Sequence, residues 1–423
     1  MHNYKKLATR EFMPFTFMIG IHLSFIIMAF ILERPAAIWA GFLEIITSRS
    51  ILVTDYIAVG GIGATLVNVA IAGLLCVSML LRLGMKPGGG NLMAIWITMG
   101  FAFFGKNIFN MIPLTVGVWI YSKYVKQPFS QHYVGAVLVA TLSPAISELA
   151  FQGEVINPLF ILVGVGMGFL IGFIFPAISA DSVKVHSGFN LYNMGFTGGL
   201  IAMVLAAIYR NHGLDIVRES IFASGYNHIM APILYGCALA MIVFGFVLDK
   251  APKKTLAGYK RIHEHSGRLL TDYYQMYKNS TFLNMGMLCA LSTTVVLVLG
   301  AEINGSAAAG ILTMTSFGSL GKHLKNVIPI MIGTIAFIFI HGIDVSLDPA
   351  NIIFILFATA LAPIAGAFGW IWGIIAGFLH INIATYIGYV NEGLNLYNNG
   401  FAATFVVMFL LPVISIFNKK QKY

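Results

Sequence analysis

Gly188-Phe-Asn-Leu-Tyr-Asn-Met-Gly-Phe196 and Gly393-Leu-Asn-Leu-Tyr-Asn-Asn-Gly-Phe401 agree at seven of nine positions, 205 residues apart, and each opens a long apolar segment. An amide-rich box written twice in such surroundings marks a duplicated architecture. Working outward, residues 66–117 align without a gap on residues 282–333, with 14 of 52 positions identical. The identities include Asn68/Asn284, Gly84/Gly300 and Gly89/Gly305. They also include Gly105-Lys106, Asn110 and Ile112-Pro113 against Gly321-Lys322, Asn326 and Ile328-Pro329. Apolar bias produces coincident leucines, but not a shared Gly-Lys-x-x-x-Asn-x-Ile-Pro. Farther out, Glu33-Arg34 answers Asp249-Lys250, Thr54-Asp55-Tyr56 answers Thr271-Asp272-Tyr273, and Gly164, Gly168 and Gly172 meet Gly369, Gly373 and Gly377. The repeat covers the chain, dividing it into 1–220 and 221–423 with a basic linker at 249–280 in the second half.

Composition supplies the class. Hydrophobic residues make up 58% of the 423 residues and charged residues 10%, well away from the composition of a soluble domain. Apolar runs long enough for a hydrocarbon core recur along the chain, so the reading is all-α and polytopic. The three cysteines, Cys76, Cys237 and Cys289, lie in apolar segments with no CxxC or Cys/His cluster, which argues against disulfides and metal sites. No cofactor is expected. The first apolar run ends at Glu33-Arg34-Pro35 without a small-residue cleavage site, and reads as a retained helix rather than a signal peptide.

Seven apolar segments fall in each half: near 12–32, 55–83, 90–104, 108–121, 133–150, 157–178 and 189–209, then near 228–248, 281–300, 305–320, 326–341, 351–366, 369–389 and 395–416. About fourteen transmembrane segments are therefore expected, some short or re-entrant. An odd number of crossings puts sequence-related halves in opposite orientations, the inverted repeat of many secondary transporters. With both termini cytoplasmic, five basic residues (Arg34, Arg49, Lys106, Arg210, Arg218) fall outside and the other 20 of 25 inside, including Lys5, Lys6, Lys250, Lys419, Lys420 and Lys422. That is the positive-inside pattern. The net charge of +9 then reflects topology and an anionic inner leaflet, not nucleic acid.

Polar residues at membrane depth need partners. Asn190 and Asn193, like Asn395 and Asn398, are three apart and would share a helix face, with Tyr192 and Tyr397 adding a phenol beside each pair. In an inverted repeat these boxes approach one another around the pseudo-axis, the usual substrate position. They equally fit helix caps and interhelical amide bridges. Lys106 and Asn110, with Lys322 and Asn326, follow two short segments preceded by Gly88-Gly89-Gly90 and Asn304-Gly305-Ser306. Short, glycine-interrupted segments in corresponding places point to a transporter site, and open helix starts favour anions. Lysines in predicted loops also suit snorkelling to the interface. The spaced glycines read as close helix packing, expected where the halves meet. Glu148, Glu154, Glu392, Asp344 and Asp348 fall near predicted outer ends, and Glu148 and Glu392 are the ones placed to accept protons.

The doubled box, the length and the unbroken hydrophobicity resemble the bacterial integral-membrane family DUF1576, a domain of unknown function, over the whole chain. The seven-plus-seven topology also resembles nucleobase and anion transporters, where short third and tenth helices face the substrate. Segments 90–104 and 305–320 are third and tenth here. Fold analogy assigns no substrate. The expected function is a secondary transporter of a small polar or anionic solute in the bacterial plasma membrane, with the site at the interface of the repeats. The carrier reading admits a coupling ion, proton or sodium, and the repeat is compatible with a homo-oligomer in the bilayer. A channel for a small polar solute is the alternative. A membrane-embedded enzyme is weaker, because HExxH, GxSxG and acidic metal clusters are all missing from the sequence, and no catalytic residue is assigned.

Overall fold

The computed structural model describes residues 7, 9–153, 156–213, 216, 220–249, 251–347 and 349–417. Lys5, Lys6, Glu154, Arg218, Lys250, Asp348, Lys419, Lys420 and Lys422 lie outside the described residues. The described chain is built from helices, ten of them long and apolar enough to cross a membrane. This is a multi-pass membrane protein. Single-span helices dominate because they satisfy every backbone group internally, which hydrocarbon demands.

The same order of elements occurs twice. The first half runs α1 (Met13–Leu32), α2 (Pro35–Thr47), α3 (Tyr56–Arg82), α4 (Gly89–Phe101), α5 (Ile108–Tyr124), α6 (Phe129–Leu138), α7 (Ser143–Ala150), α8 (Pro158–His186) and α9 (Asn193–Asn211). The second runs α10 (Asn227–Asp249), α11 (Pro252–Ile262), α12 (Tyr273–Tyr277), α13 (Ser280–Val298), α14 (Gly305–Ser316), α15 (Leu324–Ile340), α16 (Ala350–Phe357), α17 (Ala362–Phe368), α18 (Trp370–Asn391) and α19 (Asn398–Phe417). Even the irregularities recur. α3 leaves helical geometry at Gly61, where the second half breaks between α12 and α13. A 3-10 turn interrupts one span at Val139–Leu142 and its counterpart at Ala358–Leu361.

Two details depart from the sequence reading. Residues 33–54 contain a helix, α2, started by Pro35 in its first turn, where the fixed φ of proline is preorganised. The glycine stripes join helices within each half rather than between halves. A methyl group on Gly172 would fall 2.2 Å from the Leu114 carbonyl, and one on Gly377 2.0 Å from that of Ile330, so they set α8 against α5 and α18 against α15.

Between the halves, corresponding helices meet each other. α4 and α14 pack side by side and antiparallel: Ser319, just past α14, donates to the carbonyl of Gly89 at the start of α4. Gly305 at the start of α14 lies against the Phe103 carbonyl just past α4. α9 and α19 cross near their first turns, where Gly195 and Gly400 leave no room for a β-carbon. A methyl on Gly195 would stand 2.5 Å from the Tyr397 carbonyl, and one on Gly400 2.7 Å from that of Tyr192.

Candidate functional site

The repeated Gly-Lys pair creates the centre. After α4 the chain turns at Gly105 (φ +80°), and after α14 at Gly321 (φ +85°), a backbone region that glycine enters without steric cost. The turns send Lys106 and Lys322 inward, and both are fully buried at 0% exposure. Snorkelling is thereby excluded. Each turn is held by the amide that the repeat preserves. Asn68 donates to the carbonyls of Ala102 and Lys106 (2.8 and 2.9 Å), and Asn284 to those of Gly318 and Lys322 (2.8 and 2.7 Å).

Each lysine meets a tyrosine from the other half. Lys106 Nζ donates to Tyr397 Oη at 2.7 Å, and Lys322 Nζ to Tyr192 Oη at 2.5 Å and Thr359 Oγ1 at 2.7 Å. Aromatic faces line the ammonium groups. Lys106 Nζ is 5.5 Å from the Phe101 ring centre and 5.0 Å from that of Tyr397. Lys322 Nζ is 4.5 Å from Tyr192 and 5.2 Å from Phe317. Such contacts attract a cation electrostatically. Phe357 joins the two pairs, 5.7 Å from Phe101 and 6.1 Å from Tyr192. Among the described residues no carboxylate pairs with either lysine.

Of the ten residues singled out from sequence, Lys106, Tyr397, Lys322 and Tyr192 form these two pairs. Asn190 and Asn395 stand next to them and stitch the halves together. Asn190 Nδ2 donates to the Gly400 carbonyl (2.8 Å) and Thr404 Oγ1 (2.9 Å), and Asn395 Nδ2 to the Gly195 carbonyl (3.0 Å). Their side-chain oxygens accept from the backbone N–H groups of Tyr192 (2.8 Å) and Tyr397 (3.1 Å), fixing where the phenols point. The helices begin only at Asn193 and Asn398, so the paired amides do not share a helix face as their spacing suggested. Asn193 instead bonds His186 Nε2 (2.9 Å) and the Ser179 carbonyl (3.1 Å), and Asn398 accepts from Asn391 (2.5 Å). Asn110 and Asn326 accept the N–H of Asn107 and His323 (both 2.9 Å) and donate to Gly105 and Gly321 (3.0 and 2.8 Å). These two amides bind mainly backbone, and Asn110 also donates to Ser147 Oγ (3.0 Å).

The helix starts expected to receive an anion hold the protein's own carboxylates: Asp272 on the N–H of Gly89, and Asp55 on that of Gly305. Glu148 and Glu392 are buried and ion-paired, with Arg49 and Arg210. Asp344 is in a loop, bonded to Ser346.

Sequence reading missed the interrupted spans. In the 3-10 turns the carbonyls of Thr141 and Ala360 are released from the helix, and accept from Leu396 (2.8 Å) and Leu191 (3.0 Å) of the opposite boxes. Thr141 Oγ1 also reaches Asn395 (2.5 Å). The available signal was Pro144, matched by Pro363 219 residues later, since a proline frees a carbonyl one turn back. Each box is also covered by the linker of the other half: Leu52 N–H donates to the Gly393 carbonyl (3.1 Å) and Leu269 N–H to that of Gly188 (3.2 Å).

No curated protein and no solved structure matches the chain. A family profile, described as a protein of unknown function, matches residues 34–211 and 251–416, one stretch in each half and together most of the sequence. The twin boxes, the twin lysine turns and the amides that hold them all lie within those stretches, and the chain belongs to the family DUF1576.

Proposed function

We propose that the protein is a secondary transporter of a small polar or anionic solute, with two inverted seven-segment halves and both termini in the cytoplasm. One observation carries the reading: the reciprocal pairs Lys106–Tyr397 and Lys322–Tyr192, each taking one residue from either half. A site assembled from both halves is remade whenever they move against each other, which alternating access requires. The antiparallel packing of α4 on α14 supports the inversion, because a two-fold axis relating antiparallel helices runs across them. The distribution of basic residues supports the orientation and a cell-membrane location. Closure favours a carrier over a continuous pore. Lys106 and Lys322 are wholly buried, and a linker strap bonds over each box.

Reconstituted vesicles provide the test. A carrier gives saturable uptake that is accelerated by solute on the opposite side. Fast, non-saturating flux replaces the carrier with a channel, and no solute-dependent flux across a broad panel of small polar solutes ends the transport reading.

A further inference from the structure

A buried lysine with no carboxylate beside it carries its charge only at a cost in a membrane protein, and this chain places two at its centre. Their partners are phenols, one threonine hydroxyl and aromatic faces, none of which carries the missing negative charge. An ammonium has three N–H donors. Lys106 spends one on Tyr397, and Lys322 spends two on Tyr192 and Thr359. When both are protonated, three of their six donors therefore remain for a ligand.

We propose that this centre binds a small organic carboxylate, an identification of the solute that rests on the transport reading for access to the closed site. The charge complements the two lysines, and a carboxylate oxygen accepts from several donors at once. The remaining surroundings select its body. Phe101, Phe317 and Phe357 offer ring surface and no hydrogen bond. An apolar carbon skeleton loses little water against them. Inorganic phosphate or sulfate would forfeit a full hydration shell for too few donors. A neutral amide leaves the lysine charges uncompensated, and a cation adds to them.

Thermal unfolding of the purified full-length protein, at constant ionic strength, with benzoate, succinate, inorganic phosphate or butyramide decides this. Benzoate or succinate should raise the midpoint in a saturable manner, while phosphate and butyramide leave it unchanged. Lys106→Met and Lys322→Met should abolish the shift. Should either variant fail to unfold cooperatively, Lys106→Gln or Lys322→Gln replaces it, and each should weaken carboxylate binding at least about tenfold for one lost charge-assisted hydrogen bond. The proposal is overturned if neither carboxylate shifts the midpoint. It is also overturned if phosphate or butyramide does so equally, or if the shift survives the substitutions. Vesicle flux separates the two readings. Carboxylate binding without flux removes transport and leaves the binding assignment, whereas flux of a neutral solute without carboxylate binding does the reverse.

Discussion

Asp55 accepts a hydrogen bond at 2.9 Å from the backbone N–H of Gly305, the first residue of a helix 250 positions later in the chain. Asp272 repeats the relationship with Gly89 at 3.1 Å. A carboxylate at a helix start pairs with the positive end of the helix dipole, so each half caps the short helix of the other. Asp55 is completely buried and also holds the N–H groups of Ala223 and Ile57 (both 2.9 Å). Asp272 is only half-buried. Asp55→Ala should therefore cost more than Asp272→Ala, with about 1–3 kcal/mol for each buried donor left unpaired. Thermal unfolding in detergent measures the order, and equal or reversed losses would show that the caps do not join the halves.

Asn68 and Asn284 each hold two carbonyls at the lysine turns. Replacing either by leucine keeps similar bulk and strands two buried acceptors, so a loss of roughly 2 kcal/mol is expected. Asn68→Leu should displace Lys106, and Asn284→Leu should displace Lys322. A variant that keeps wild-type stability and ligand response would show that the turns need no amide clamp.

Gly195 and Gly400 sit where α9 and α19 cross, with no space for a side chain. Gly195→Ala and Gly400→Ala should each destabilise by about 1–3 kcal/mol through overpacking. Gly166, which has nothing near a built β-carbon, should accept alanine without loss. Equal unfolding midpoints for all three would refute the close crossing.

The proposed opposite orientation of the halves predicts opposite exposure of equivalent surface positions. Arg34 and Lys253 are both exposed and lie at the starts of the equivalent helices α2 and α11. The native cysteines are all buried, so single cysteines at these positions report cleanly. Arg34→Cys should react with an impermeant thiol reagent from outside the cell and Lys253→Cys only after permeabilisation. Labelling from the same side rules out the inversion.

Much of this organisation was legible because it is local or repetitive. Apolar length identifies spans, and Gly105 and its counterpart Gly321 mark turns. The short lengths of α4 and α14 followed from the glycines before them. The helix α2 was missed because its thirteen residues fall short of a span. The 3-10 turn at Val139–Leu142 was missed because its freed carbonyl becomes tolerable only when Leu396 arrives from the other half.

The duplication, the membrane class and the residues set apart by repetition are readable along the chain. Residue spacing and hydropathy carry that information directly. What those residues contact depends on the partners that folding brings to them. Lys106 in isolation suits an interface, yet Tyr397, 291 positions away, makes its burial possible. Asn110 and Asn326 look like ligand amides until the carbonyls of Gly105 and Gly321 are seen to consume them. A side chain's role in a membrane core depends on which donors, acceptors and charges fold around it, and for this centre those partners come from the opposite half of the chain.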